Sequence, residues 1–201
     1  MYKFAIWSFS NHFQNKVFPS IRNNKFIKIK YIITKKEKKT LNNIKWFKNK
    51  EELKLKKDIN YIYISSVNSN HFKDIKFALQ NKINVICEKP ICLKSSQFKE
   101  LVKISKTKKV KFFEMIQYKY HPVFLAVKKI INKNLIGKIK TVESEFKVPI
   151  KKTKNSFRFK KKFAGGALNE IGFYPLSIMF TLFDSKKIKI IKTKTKNENE
   201  V

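Results

Sequence analysis

The sequence predicts an α/β fold: a doubly wound parallel sheet followed by part of a second, α+β open-sheet domain. Three observations point there. Short runs of β-branched and aromatic residues recur through the first half, longer segments with helical spacing separate them, and the alternation ends near residue 118. The expected strands are residues 2–8, 26–34, 60–65, 83–87 and 111–115. Those that read as nearly continuous Ile, Val, Phe and Tyr suit strands buried on both faces. Helices are expected over 11–23, over 70–81, with Phe72, Ile75, Ala78 and Leu79 on one side, and over 95–107, with Phe98, Leu101, Val102 and Ile104 likewise. Ser95 is the expected N-cap of the last. Beyond residue 118 come a helix over 122–133, a turn at Gly137 and a strand-like alternation over 138–147. A loop at Gly165-Gly166, an apolar helix over 167–183 despite Pro175, and a second alternating segment over 186–194 complete the chain.

The 201 residues are 42% hydrophobic, enough for one good core or two small ones, which excludes both a disulfide miniprotein and a fully disordered chain. A net charge of +33 would ordinarily suggest nucleic acid as a partner. Its make-up argues against a specific one. Every basic residue except Arg22 and Arg158 is lysine, whereas base readout relies on the planar fork of arginine. Lys, Asn, Ile and Phe all have A/T-rich codons, so the lysine excess reads as a composition bias that includes the stretch 34–57. Cys87 and Cys92 have four residues between them, which fits neither a metal pair nor a redox pair, and both are expected to be buried thiols. No metal site is expected. The chain opens without a secretory pattern, and its least charged stretch, 163–183, carries Asn169, Glu170, Gly172 and Pro175, so no membrane association and a cytoplasmic location are expected.

A parallel sheet of this kind binds ligands at the carboxyl ends of its strands, where the first turn commonly carries glycines that admit a dinucleotide pyrophosphate. Here that turn reads Ser8-Phe9-Ser10-Asn11-His12-Phe13. Serine can still present backbone N–H groups at a helix N-terminus, but Phe13 is expected to push the helix away from the sheet. At the end of the second strand, Thr34-Lys35 stands where an acidic residue would hold a ribose, and that charge better suits a 2′-phosphate. Cys87-Glu88-Lys89-Pro90 directly follows the fourth strand, which places Lys89 at the cleft, where an ammonium can polarise a substrate hydroxyl.

Taken together, residues 61–66, 68–71, 85–90, 118–122 and 165–175 resemble the Gfo/Idh/MocA family of NAD(P)-dependent oxidoreductases across nearly the whole chain. The resemblance implies a Rossmann dinucleotide-binding domain over residues 1–120 and an incomplete substrate and oligomerisation domain over 121–201. It implies NADP or NAD as cofactor, with Thr34 and Lys35 favouring NADP, and a sugar, sugar nucleotide or related diol as substrate. Ser8, Ser10, Asn11 and His12 would meet the pyrophosphate, and Ser66, Asn68 and His71 would line the cofactor cleft, with Val67 in place of the family's proline. Glu88 would approach the nicotinamide ribose, Lys89 the substrate, and Pro90 would follow a cis peptide. Tyr118, in a Tyr-Lys-Tyr-His-Pro segment, and Arg158 would touch substrate, while His121 is expected to be structural. Tyr174 would carry the proton, with Glu170 in place of the usual aspartate. The family's second domain is longer than this one, so missing strands would leave an apolar sheet face for a second copy to cover, making a homo-oligomer. A shortened, noncatalytic relative is the alternative.

Overall fold

A computed structural model describes residues 1–35, 41, 43–53, 58–150 and 156–194. The chain divides into two compact units, Met1–Met115 and Ile116–Val201. In the first, six strands form one parallel sheet: β1 (Tyr2–Trp7), β2 (Ile27–Ile33), β3 (Lys45–Phe47), β4 (Tyr61–Ile64), β5 (Asn84–Cys87) and β6 (Phe112–Glu114). Their order is β3-β2-β1-β4-β5-β6, so the direction of winding reverses between β1 and β4 and opens a crevice at the carboxyl ends of those two strands.

Alternation along the strands builds two cores. Phe4 and Ile6 of β1, Ile32 of β2 and Tyr63 of β4 face one layer, where Phe9 and Phe13 cover them. Ala5, Ile33, Ile62, Ile64 and Val85 face the other, where α2 (His71–Gln80) contributes Ile75 and Leu79 and α3 (Ser95–Lys108) contributes Leu101. Each isoleucine removed from water in this way contributes roughly 1.5–3 kcal/mol.

The helix after β1 opens as a wide π-helical turn, Phe13–Val17, and tightens into α1 (Phe18–Ile21). Phe13 does not hold it off the sheet. Its side chain is fully buried, with its ring 5.7 Å from Phe9 and 5.5 Å from Tyr63, so the aromatic ring occupies core volume on that face. The N-cap of α3 is Lys94 rather than Ser95, which is the first helical residue, and the Leu93 N–H instead donates to Gln97 Oε1 at 3.1 Å. Both cysteines are free thiols; Cys87 is buried, but Cys92 is only half-buried. Strand β3 was not expected. It lies inside the lysine-rich stretch, and its ladder with β2 pairs Tyr31 with Lys45 and Ile33 with Phe47.

The second unit contains α4 (Pro122–Asn132) and α5 (Phe173–Leu182), the latter preceded by a π-helical turn, Leu168–Gly172. Its two alternating segments carry no strand: 138–147 is irregular, and Ser185–Lys187 forms a single tight helical turn with 188–194 irregular after it. An alternating pattern becomes a strand only when a neighbour satisfies its backbone groups, and neither segment has one among the described residues. No helix among the described residues is long and apolar enough to cross a membrane.

Candidate functional site

Ser8 follows β1 and takes φ of +71°, the left-handed conformation that glycine adopts at no steric cost. A relay of side chains holds it there. Ser65 Oγ, at the end of β4, donates to the Ser8 carbonyl at 2.7 Å and accepts from Ser10 Oγ at 3.0 Å. Ser10 Oγ in turn accepts from the Phe13 N–H at 3.1 Å, capping one of the helix's first amides. The serines thus hold a left-handed turn without glycine. Asn11 and His12 are exposed. Ser65 is not among the expected site residues, although it lies in the motif segment 61–66 directly before Ser66.

From the opposite side of the crevice, Glu88 sits just beyond β5, its N–H donating to the Ile64 carbonyl at 3.0 Å. Its Oε1 accepts from the Tyr63 hydroxyl and lies 3.2 Å from His12 Nε2. Burial alone would push the Glu88 carboxyl up, but the hydrogen bonds from His12 and Tyr63 outweigh it and hold the group below the usual glutamate range. Tyr63 moves the other way: burial, then the charge of Glu88 beside it, push its hydroxyl far up, so it remains a donor.

The turn Val67-Asn68-Ser69-Asn70-His71 enters α2 through a tight helical turn, Asn68–Asn70. Val67 has φ −72° and ψ 151°, close to the φ that a proline ring would impose, so its place in the turn needs no proline. Asn68 and His71, both expected to line the cleft, are buried instead. His71 is 1% exposed, with Nδ1 2.7 Å from the Pro90 carbonyl and Nε2 2.9 Å from the Ser66 carbonyl. The ring thus lies between two backbone carbonyls, one in the turn after β4 and one in the turn after β5, and bridges the two turns. The Lys89–Pro90 peptide is cis, and Lys89 is half-buried. Ser66 Oγ donates to Asp74 Oδ2 at 2.7 Å, while burial pushes the Asp74 carboxyl up.

A cavity of about 480 Å³ opens at the carboxyl ends of β1, β2 and β4, lined among others by Trp7, Ser8, Thr34, Lys35, Ser66 and Asp74. Its position and lining fit the adenosine half of a dinucleotide, with the left-handed Ser8 turn beside it for the pyrophosphate.

In the second unit, the loop 157–166 closes on itself. The Gly166 N–H donates to the Arg158 carbonyl at 2.8 Å, and a Cβ on Gly165 would come within 2.3 Å of that oxygen, so only glycine fits there. Arg158 and Tyr118, expected to meet substrate, both have partners inside the unit. Arg158 Nε lies 3.4 Å from Glu170 Oε2, and the Tyr118 hydroxyl donates to Ser177 Oγ at 2.8 Å. The Tyr174 ring packs 4.9 Å from Phe146 and 6.3 Å from Tyr118. His121 accepts from the Val123 N–H at 3.3 Å and caps α4.

Residues 8–115 match the oxidoreductase family with an NAD-binding Rossmann fold, Gfo/Idh/MocA, and residues 124–200 match that family's C-terminal domain. A trans-1,2-dihydrobenzene-1,2-diol dehydrogenase from Xenopus laevis is 31% identical over 137 residues, 68% of this chain and 41% of that protein. A D-xylose 1-dehydrogenase (NADP(+)) from Hypocrea jecorina is 28% identical over 64% of this chain and 35% of its own. The crystal structure of a 3-ketoreductase variant from Actinomadura kijaniata, in complex with TDP-benzene and NADP, has the same fold, with a TM-score of 0.83 at 18% identity over 90% of this chain and 57% of that one. The chain therefore spans less than half the length of these curated relatives. With both units matched in order, and with the winding of the sheet that of a Rossmann fold, the chain belongs to the Gfo/Idh/MocA family of oxidoreductases.

Proposed function

We propose that this protein is an NAD(P)-dependent oxidoreductase acting on the carbinol carbon of a sugar, a sugar nucleotide or a related cyclic diol, with NADP as its preferred cofactor. The observation that carries this reading is the left-handed Ser8 turn held by Ser65 beside the cavity at the carboxyl ends of β1 and β2. When bound, the nicotinamide supplies or accepts the hydride. The protein's own residues do the rest. Ser8, Ser10 and Asn11 offer the turn and the start of the helix to the pyrophosphate, and Thr34 and Lys35 meet the adenosine ribose or its 2′-phosphate. Glu88, kept anionic by His12 and Tyr63, is a carboxylate with acceptor capacity for a ribose hydroxyl. His71 fixes the turn that bears Lys89, and the Lys89 ammonium stabilises the alkoxide that develops as hydride leaves or arrives.

Tyr174 moves the proton to or from the substrate oxygen. Glu170 and Arg158 act there as a pair, orienting a hydroxyl-bearing or anionic group of the substrate. Residues 1–120 form the dinucleotide-binding domain and 121–201 the beginning of the substrate domain. The names of the relatives, a diol dehydrogenase and an NADP(+)-dependent xylose dehydrogenase, support this choice of substrate class and cofactor. The test follows nicotinamide absorbance across a panel of vicinal diols, aldoses and sugar nucleotides. Turnover that Lys89→Met and Tyr174→Phe each abolish supports the assignment. Cofactor binding without turnover on any member of the panel would favour a noncatalytic relative.

A further inference from the structure

The cavity beside Ser8 is lined by cations that the strand-end motifs do not include. Thr34 and Lys35 end β2, but Lys48, Asn49 and Lys50 line the same cavity from the segment after β3. The register brings them there. Ile33 pairs with Phe47, and the Thr34 N–H donates to the Phe47 carbonyl at 3.0 Å, so the residues that follow the two strands run side by side off the same edge.

Lys50 is held against two aromatic rings. Its Nζ lies 5.0 Å from the centre of the Phe77 ring on α2 and 5.8 Å from that of Trp7 at the end of β1, and those two rings meet edge to face at 5.6 Å. An ammonium held over two aromatic faces loses less freedom when it binds an anion than a solvated lysine does. The lining also contains Glu51 and Asp74. Three ammonium groups against two carboxyls leave a net positive lining; Asp74 accepts from Ser66 and also feels the charge of Lys50, which leaves Lys35 and Lys48 in surplus over Glu51.

We infer that Lys48 and Lys50 are the residues that decide between the two nicotinamide cofactors in this chain, receiving the 2′-phosphate of NADP from the β3 side of the cavity while Lys35 closes it from the β2 side. This rests on the dinucleotide reading above and adds where the selectivity lies: in a segment contributed by the edge strand, not in the turn after β2 alone. Phosphate recognition by lysine is a matter of point charges, so it tolerates this split origin better than a bidentate arginine site would.

The experiment measures NADPH and NADH affinities by calorimetry for the purified chain, for Lys35→Met, and for the double variant Lys48→Met/Lys50→Met. Near-UV circular dichroism verifies the fold of each. Adenosine 2′,5′-bisphosphate and adenosine 5′-monophosphate serve as fragments that differ only in the 2′-phosphate. The NADPH/NADH affinity ratio is expected to fall about tenfold or more in the double variant, because each charge-assisted phosphate contact is lost. The preference for the bisphosphate should fall with it, as should the salt dependence of NADPH binding. A ratio unchanged in the double variant, with both cofactors still bound, overturns this inference and leaves the dinucleotide reading standing. A wild-type chain that binds neither cofactor overturns both.

Discussion

Ser65 Oγ donates to the carbonyl oxygen of Ser8 at 2.7 Å, joining the end of one central strand to the left-handed turn that follows the other. The same oxygen accepts from Ser10, so one hydroxyl organises the turn proposed here for the pyrophosphate. Ser65→Ala leaves the half-buried Ser8 carbonyl and Ser10 hydroxyl without this partner. It should lower stability by about 1–3 kcal/mol in urea unfolding and weaken NADPH binding in the same preparation.

Ser8 itself is a residue with a side chain in a backbone region that costs roughly 1–2 kcal/mol for anything but glycine. Ser8→Gly should remove that cost and raise the urea midpoint, the gain reduced by glycine's larger entropy loss of about 0.5–1 kcal/mol. Ser8→Val should lower it. Equal midpoints for the two variants would show that the turn is not left-handed in solution.

How much of this was legible in the sequence depended on distance along the chain. The strands that became β1, β2, β4, β5 and β6 were visible because burial on both faces demands long apolar runs, and 26–34 and 60–65 supply them. β3 was hidden because three residues at the sheet's edge, Lys45–Phe47, need little apolar pattern and lie amid lysines. Phe13 departs from the expectation for a different reason. A ring this size does not fit the space a glycine leaves, but the wide turn at Phe13–Val17 carries it into the core beside Tyr63. The motif residues Glu88 and Pro90 are legible along the chain, but their partners Tyr63, His12 and His71 lie on other elements, and only the sheet order brings them close. In the second unit, alternation over 138–147 predicted a strand because periodicity records a preference for pairing and not the presence of a partner.

Glu88 gives the fold a defined acid limb. Its pKa is depressed in the folded chain, so its contribution is present above the unfolded glutamate value of about 4.3 and is lost as pH falls through the folded value. The urea midpoint should therefore fall more steeply below about pH 4.3 in the wild type than in Glu88→Gln, which has no such proton to take up. Parallel acid limbs for the two proteins would place Glu88 outside this network.

Gly165 makes a separate prediction for the second unit. A methyl group there would meet the Arg158 carbonyl at 2.3 Å, and a backbone atom cannot step aside as a side chain can. Gly165→Ala should destabilise that unit by at least about 1–3 kcal/mol. Limited proteolysis should show faster cleavage within 116–201 while the first unit remains protected.

The most direct measurement is a titration of the purified chain with NADPH and NADH, following tryptophan emission. Trp7 lines the cavity beside Ser8, so a cofactor seated there must alter its surroundings. A saturable change with a midpoint on the order of micromolar, tighter for NADPH and weakened in Ser65→Ala, is the predicted result. No saturable change with either cofactor, in a sample whose circular dichroism shows a folded protein, would contradict the assignment of this crevice as a dinucleotide site.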